Sequence, residues 1–219
     1  MRAEFVQRLP ECRGGEYLRV RVQELSKDIV DWWHKCVQPT IDQDTSRADA
    51  GWAWPFITAF NRWTEPPNLL PEGFALCVNC GTADMSFTSG AGYPVALIQT
   101  VSRIPFIEDR RQYSMLLQYL STIPRQLLPS EAAARLVGVG ALDISLVRTL
   151  QLGYSGRMML RIGEKDRSRL ARWCTHTCGM VAAEQGGQTV EGCFVHRPDT
   201  AMRAYSRLQH LRLGEDPRA

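Results

Sequence analysis

Hydrophobic positions recur with two different periods along the chain, and the periods predict a helical beginning followed by a sheet. Over residues 19–37, apolar residues return every three or four positions, which predicts one amphipathic helix. Pro39 predicts the end of that helix, and a second helical run is predicted over residues 51–63. We therefore expect the first strand to follow two helices.

Short runs of apolar and β-branched residues predict strands beyond residue 70. They lie at residues 74–81, 94–101 and 114–123, with a charged turn at 107–111 between the last two. A helix at 141–153, a strand at 157–162, a helix at 164–178 and a short helix after Pro198 complete the pattern. This order predicts an α/β fold with a mixed sheet.

A glycine-containing motif stands where the third predicted strand gives way to a long helix. It reads Arg135-x-x-Gly138-x-Gly140, and the helix is expected to begin at Ala141. Glycine lets the backbone approach a ligand closely, and the first turn of a helix offers unpaired N–H groups to an anion. The motif therefore predicts a phosphate-binding loop, although Gly-x-Gly also occurs in ordinary tight turns.

The motif and the element order together resemble the GNAT superfamily of acyl-CoA-dependent N-acetyltransferases. The family's pyrophosphate loop is Gln/Arg-x-x-Gly-x-Gly/Ala, which residues 135–140 match. The resemblance covers residues 70–195 and is most specific over 115–180. It implies acetyl-CoA as cosubstrate and a mostly antiparallel central sheet with splayed strands, flanked by helices.

The resemblance also implies which residues bind the cofactor. Backbone groups of the splayed strand pair with the pantetheine arm, and the loop binds the pyrophosphate. The implied residues are Leu120, Ser121, Thr122, Ile123, Arg135, Leu136, Val137, Gly138, Val139, Gly140 and Ala141.

Catalytic and acceptor residues are less well defined by the sequence. Many family members place a tyrosine acid where this chain has Thr175. Acetyl transfer also needs a base, and the nearest candidates are Tyr119, acting through a water, and Glu108. Family members bind the acceptor near the early helices, which implies Trp52 and Trp54 as an acceptor wall; core packing of the tryptophans is the alternative.

We expect one GNAT-like domain over residues 1–219. Its first part, residues 1–70, is expected to be a helical acceptor-side region. Residues 71–195 are expected to form the sheet and the CoA-binding core, and residues 196–219 a C-terminal helix and tail.

Composition adds few constraints. The chain has 219 residues, of which 44% are hydrophobic and 22% charged, and a net charge of +3, which suits an anionic cofactor without indicating nucleic acid. It lacks a signal-like or membrane-spanning apolar run, and seven scattered cysteines favour reduced thiols and a cytoplasmic protein. We expect no metal site at Cys77 and Cys80 or at Cys174, His176 and Cys178, because the latter point in different directions.

These observations favour an enzyme that moves an acetyl group from acetyl-CoA to an amine, of a small molecule or a protein. The alternative is a GNAT-like module that binds acetyl-CoA without turnover, which Thr175 favours. A nucleotide-dependent enzyme is disfavoured because neither a Walker A motif nor a dinucleotide-binding fingerprint occurs. The acceptor's identity and the oligomeric state, including a homodimer, stay open.

Overall fold

The computed structural model describes residues 6–10, 17–64, 68–78, 92–128, 131–164 and 167–209. Its strands are β1 Val6–Pro10, β2 Tyr17–Glu24, β3 Leu70–Val78, β4 Tyr93–Pro105, β5 Tyr113–Thr122, β6 Met158–Arg161, β7 Val181–Gln185 and β8 Gln188–His196. Its helices are α1 Lys27–Cys36, α2 Gln38–Asp42, α3 Trp54–Thr64, α4 Glu131–Gln151, α5 Arg167–Arg172 and α6 Pro198–Leu208. A 3-10 turn, Arg125–Leu127, follows β5, and a π-helical turn, Trp173–Thr177, continues α5.

The eight described strands form one mixed sheet in the order β1-β2-β3-β4-β5-β6-β8-β7. Neighbouring strands are antiparallel except β5 and β6, which are parallel. A parallel pair needs a crossover connection, and α4 provides it between β5 and β6. The predicted α/β class, with a mostly antiparallel mixed sheet flanked by helices, is confirmed.

The beginning of the chain is where the sequence prediction is wrong. Residues 17–24 form strand β2 rather than the first part of a helix, so strands precede the helices and residues 1–70 are not purely helical. The segment around Val20 and Val22 alternates apolar with polar residues, and Val20 is fully buried whereas Arg21 is exposed. Such alternation fits a half-buried strand. Helix α1 begins only after Ser26, whose side chain caps it by accepting from the backbone N–H of Ile29 at 3.3 Å.

The later elements follow the prediction more closely. Strands β3 to β6, helices α3 and α6 and the charged turn between β4 and β5 are confirmed, with boundaries shifted by a few residues. Pro39 does not simply stop a helix but lies in the first turn of α2, where proline is tolerated. Residues 79–81 of the first predicted strand and the tail beyond residue 209 lie outside the described residues.

The core joins the early helices to the middle of the sheet. Helix α1 packs against α2 and α3, and α4 contacts β1, β4, β5 and β6. The side chains of Trp33 and Trp54 are fully buried in the same apolar cluster as Leu97 and Leu142. Core packing is therefore the role that the structure gives to these two tryptophans.

Candidate functional site

Strand β5 is paired on both sides along only half of its length. Strand β6 pairs with it through Met115, Leu116 and Leu117 and no further in the part of the chain that the structure describes. Residues 119–122 of β5 continue to pair with β4 beyond an irregularity at Gln118. The two parallel strands therefore separate beyond Leu117, which is the splay that the resemblance implies.

Alternation along β5 determines which backbone groups face the resulting gap. The N–H of Ile123 donates to Val95 of β4 at 2.9 Å. Because backbone groups of successive residues point to opposite sides in an antiparallel ladder, Ser121 also bonds toward β4, and Leu120 and Thr122 face away from it. Of the four residues expected to pair with the cofactor, Leu120 and Thr122 are thus presented to the gap. The expectation is wrong for the backbone of Ser121 and Ile123, which the β4 ladder uses.

A cleft of about 570 Å³ opens at this gap. Its walls come from α2 and the turn after it, the end of β5, the 3-10 turn, α4 and α5. The lining residues are Thr40, Asp44, Arg47, Ala48, Asp49, Leu120, Thr122, Pro124, Arg125, Gln126, Gly138, Arg169, Leu170 and Trp173. The volume lies in the range of ligand-binding pockets.

A buried polar network ties the turn after α2 to the end of β5. Arg47 binds the carboxylate of Asp49 through two hydrogen bonds, Nε to Oδ1 at 2.8 Å and Nη2 to Oδ2 at 2.7 Å. Asp49 also accepts from the hydroxyl of Ser121 at 2.6 Å, and Arg47 donates to the carbonyl oxygen of Thr122 at 2.6 Å. Sequence reasoning missed this network, because Arg47 and Asp49 lie more than 70 residues before Ser121 and Thr122, the residues they contact.

The rim of the cleft carries additional charge. Arg125 and Arg169 are exposed there, beside the exposed Asp44. Hydrogen bonds from Ser46 lower the pKa of Asp44, and the nearby Arg47 and Arg169 lower it further. Asp44 is therefore held as a carboxylate and is poorly suited to accept a proton from an ammonium acceptor.

The predicted phosphate loop is not a loop in the structure. Helix α4 begins at Glu131, so residues 135–140 are helical and the expected start at Ala141 is wrong. From residue 135 onward each N–H has a carbonyl four residues earlier as its helical partner. Backbone donors of Arg135, Leu136, Val137, Gly138, Val139, Gly140 and Ala141 are consequently committed to the helix and do not form the expected cradle.

The sequence explains why this segment is helical despite its glycines. Glu131 is followed by three alanines, which are the best helix formers, whereas each glycine costs about 1 kcal/mol relative to alanine. Gly138 also brings α4 close to α5, since a Cβ there would lie 3.4 Å from Cζ2 of Trp173. Gly138 lines the cleft at the point where α4 approaches Trp173. At the start of α4, the N–H groups of residues 131–133 have no carbonyl partner within the helix.

Tyr119 and the expected acceptor tryptophans form an aromatic group beside β5. The ring of Tyr119 meets Trp52 edge-on at 5.0 Å and Trp54 at 6.5 Å. Trp52 is half-buried, whereas Trp54 is fully buried. The structure therefore does not support Trp54 as a wall that touches an acceptor. A second cavity of about 340 Å³ lies nearby between α1, α3 and β3, with the amide of Gln99 in its lining.

Glu108 lies far from the cleft, at the opposite end of β5. It sits in the β4–β5 turn and accepts hydrogen bonds from Arg197 Nε at 2.7 Å and Nη2 at 2.9 Å. The backbone N–H of Glu184 donates to the same carboxylate at 2.9 Å. These bonds from Arg197, followed by that from Glu184, lower the pKa of Glu108. The expectation that Glu108 is the catalytic base is wrong, because the side chain is remote from the gap and held as an ion pair.

Thr175, at the position where the resemblance implies a tyrosine, is not among the residues that line the cleft. It is exposed, and its hydroxyl donates to its own helix, to Ala171 O at 3.0 Å and Arg172 O at 3.3 Å. The side chain of this segment that reaches the cleft is Trp173.

The cysteines near this segment are buried thiols. Burial raises the pKa of Cys174 to about 12, and Cys178 is shifted in the same direction for the same reason. His176, by contrast, is exposed. Among the described residues no group of three His, Cys, Asp or Glu side chains is arranged to hold a metal ion. Cys80 lies outside the described residues.

Within the described ranges, which omit residues 79–91 and the two ends of the chain, no helix has the length and apolar character needed to span a bilayer.

No protein-family model matches the sequence, and no curated protein matches it significantly. Among solved structures, the chain is similar to an uncharacterized protein from Bacillus halodurans, with a TM-score of 0.53 and 8% identity over 94% of this chain and 97% of that one. An acetyltransferase of the GNAT family from Staphylococcus aureus Mu50 gives a TM-score of 0.46 and 10% identity, over 82% and 99% of the two chains. A structure of AtaTR bound with AcCoA gives a TM-score of 0.44 and 15% identity, over 85% of this chain and 98% of that one. At these identities the similarity concerns the fold alone.

The mixed, mostly antiparallel sheet flanked by helices agrees with the architecture that the resemblance in sequence implied. The strand order and the half-open β5 carry this conclusion within the chain itself.

Proposed function

We propose that this protein is an acyl-CoA-dependent N-acyltransferase that moves an acetyl group from acetyl-CoA to an amine. The observation that carries the proposal is the open half of β5 at the wall of a cleft with arginines at its rim. An unpaired strand edge recognises an extended amide-containing chain, and arginines recognise phosphates. Pantetheine and the phosphates of CoA combine these two chemistries in one molecule.

In this proposal the open edge positions the thioester. The pantetheine arm extends along residues 118–122 as an additional strand, which explains why β6 turns away there. The N–H of Leu120 faces the gap and is the donor that can polarise the thioester carbonyl. One such donor contributes about 100- to 1000-fold to acyl transfer when it is aimed at the developing oxyanion.

The phosphates are proposed to lie at the rim rather than along residues 135–140. The start of α4 is proposed to offer the N–H groups of residues 131–133, which have no partner within the helix, and the positive end of the helix dipole. Arg125 and Arg169 stand on the rim of the cleft. Backbone donors and guanidinium groups together form an anion site of the kind that phosphates prefer.

The acceptor amine is proposed to enter from the helical side, where Trp52 is half-buried beside Tyr119. Tyr119 is proposed to receive the amine proton through a water, and the leaving thiolate is proposed to take its proton from solvent, because Thr175 points into its own helix. If Tyr119 is the base, Tyr119→Phe should lower kcat by about 100-fold while cofactor affinity is retained.

A cofactor-binding module without turnover is the second candidate. It is favoured by the cleft lining, in which the described carboxylates are Asp49, paired with Arg47, and Asp44, bonded to Ser46. Both carboxylates accept hydrogen bonds from neighbouring side chains, so neither is positioned as a catalytic base.

Two measurements test the proposal. Calorimetry with acetyl-CoA tests binding, and release of free CoA across polyamine, aminoglycoside, amino-acid and peptide acceptors tests transfer. Binding with transfer supports the enzyme, and binding without transfer to any acceptor supports the module. Failure of acetyl-CoA to bind at millimolar concentration would contradict both.

A further inference from the structure

An arginine occupies part of the strand edge that the cofactor is proposed to use. Arg47, in the turn between α2 and α3, donates through Nη2 to the carbonyl oxygen of Thr122 at 2.6 Å. The backbone of Thr122 faces the gap and not β4. The carbonyl is therefore one of the acceptors that an added strand would engage.

This arginine is fixed in place. Its bidentate pair with Asp49 restrains the plane of the guanidinium, and the side chains of Arg47 and Asp49 are only 18% and 7% exposed. The turn that carries them is held by Gln38, whose amide donates to the backbone oxygen of Asp49 at 3.0 Å. The contact with Thr122 is consequently a built part of the cleft.

The charge of Arg47 is also already compensated. Its partner Asp49 lies within hydrogen-bond distance through both carboxylate oxygens. Arg125 and Arg169, by contrast, are exposed on the rim. Attraction of phosphates is better served by these two exposed arginines than by a side chain that is paired and largely buried.

We propose that Arg47 is an internal competitor of the cofactor's arm, which occupies Thr122 in the free protein and releases it when the arm binds. This inference rests on the proposed function. The exchange costs the protein one hydrogen bond and leaves the ion pair intact, because neither oxygen of Asp49 belongs to the β5 ladder. Arg47 thus lowers the affinity for the arm, and it supplies a hydrogen bond to the carbonyl oxygen of Thr122 when no arm is present.

The test removes the competing bond without changing the charge of the cleft. In the double variant Arg47→Leu with Asp49→Asn, the net charge is unchanged and the asparagine oxygen still accepts from Ser121. Acetyl-CoA should bind about two- to tenfold more tightly, the effect of one hydrogen bond. The matched control, Arg169→Leu, should weaken acetyl-CoA binding and reduce its salt dependence.

S-acetylpantetheine, which lacks phosphates, serves as the second probe. The double variant should bind it more tightly by the same factor, and Arg169→Leu should leave its affinity unchanged. Unchanged or weaker binding of both probes by a folded double variant would overturn the inference.

A crystal structure of the wild-type protein with acetyl-CoA provides a test that does not depend on the variant folding. Separation of Arg47 Nη2 from Thr122 O beside a bound arm supports the inference, and persistence of that bond overturns it. If the wild-type protein and the double variant bind neither probe at millimolar concentration, the proposed function is overturned and this inference with it.

Discussion

Strand β5 has an arginine–carboxylate pair at each end, and the two pairs have different surroundings. At its start, Glu108 binds Arg197 and also accepts from the edge strand β7, where the sheet is closed. At its end, Asp49 binds Arg47, and the arginine reaches the backbone of Thr122, where the sheet is open. The first pair joins elements that already touch, whereas the second provides hydrogen bonds that a neighbouring strand would otherwise supply. An arginine–carboxylate pair therefore holds packed elements together at one end of β5 and forms part of the candidate site at the other.

The largest effect is expected from breaking the pair at the open end. Asp49→Ala leaves a largely buried guanidinium without its carboxylate and Ser121 without its acceptor. Loss of one member of a buried pair costs about 3–5 kcal/mol, so the free energy of unfolding in urea should fall by that amount. Asp49→Asn, which keeps one acceptor, should cost less. Equal stability of the wild-type protein and Asp49→Ala would show that the network does not hold the turn to β5.

The closed end is expected to be sensitive to acid through His196, which pairs with Met158 in the β6–β8 ladder. Burial lowers the pKa of His196 from 6.5 to about 4. Between these values the unfolded chain binds a proton that the folded protein does not, so stability is complete above pH 6.5 and is lost as pH falls. From pH 7 to pH 5 the loss should be about 2 kcal/mol.

Urea unfolding at several pH values measures this loss. The non-titrating variant His196→Gln should show a flatter profile over the same interval. A wild-type profile as flat as that of the variant would contradict the assignment of a buried neutral histidine.

A smaller effect is expected from the pair at the closed end. The side chain of Arg197 is 37% exposed and that of Glu108 15%, and ion pairs near the surface contribute about 0–1 kcal/mol. Glu108→Gln should therefore lower the free energy of unfolding by no more than about 1 kcal/mol. Acetyl-CoA affinity, measured by calorimetry, should not change. A large loss of turnover with normal folding would restore Glu108 as a catalytic candidate.

The smallest effect is expected at Gly138. An added Cβ would meet Trp173 at 3.4 Å, an ordinary contact, and alanine favours a helix interior by about 1 kcal/mol. Gly138→Ala should change stability by about 1 kcal/mol at most, and acetyl-CoA affinity should stay within about twofold, because no backbone donor is lost. Gly156→Ala is the comparison variant for the stability measurement. Its added Cβ would lie 2.4 Å from the Cβ of Ala201, so it should lower stability more than Gly138→Ala does. A tenfold loss of affinity in folded Gly138→Ala would support a phosphate-binding role for this glycine.

The half of the molecule around β5 was predictable because its signals are local. Apolar strands alternate there with clear turns, and Gly153 ends α4 with a φ of +77°, a value that favours glycine. The pattern over residues 19–24 does not distinguish a strand from a helix, because its valines fit a helical period as well as an alternating one. The motif at 135–140 has the form of a loop, but the Glu-Ala-Ala-Ala run before it starts a helix that continues through both glycines.

The candidate site was only partly predictable, for a different reason. The separation of β5 from β6 could be expected from the resemblance, and the backbone groups of Leu120 and Thr122 lie on the side of β5 that faces the gap. The pairing of Arg47 with Asp49 and Thr122 could not be expected, because it depends on how a distant turn packs on the strand. No local pattern encodes a contact of that kind.

The most direct test of the central claim is amide hydrogen exchange at Leu120, resolved by NMR, with and without acetyl-CoA. The N–H of Leu120 faces the gap, whereas that of its neighbour Ser121 belongs to the β4 ladder. The account predicts fast exchange at Leu120 and slow exchange at Ser121 in the free protein, with Leu120 becoming protected when acetyl-CoA binds. If acetyl-CoA leaves exchange at Leu120 unchanged while Ser121 stays protected, the open edge of β5 is not the cofactor site.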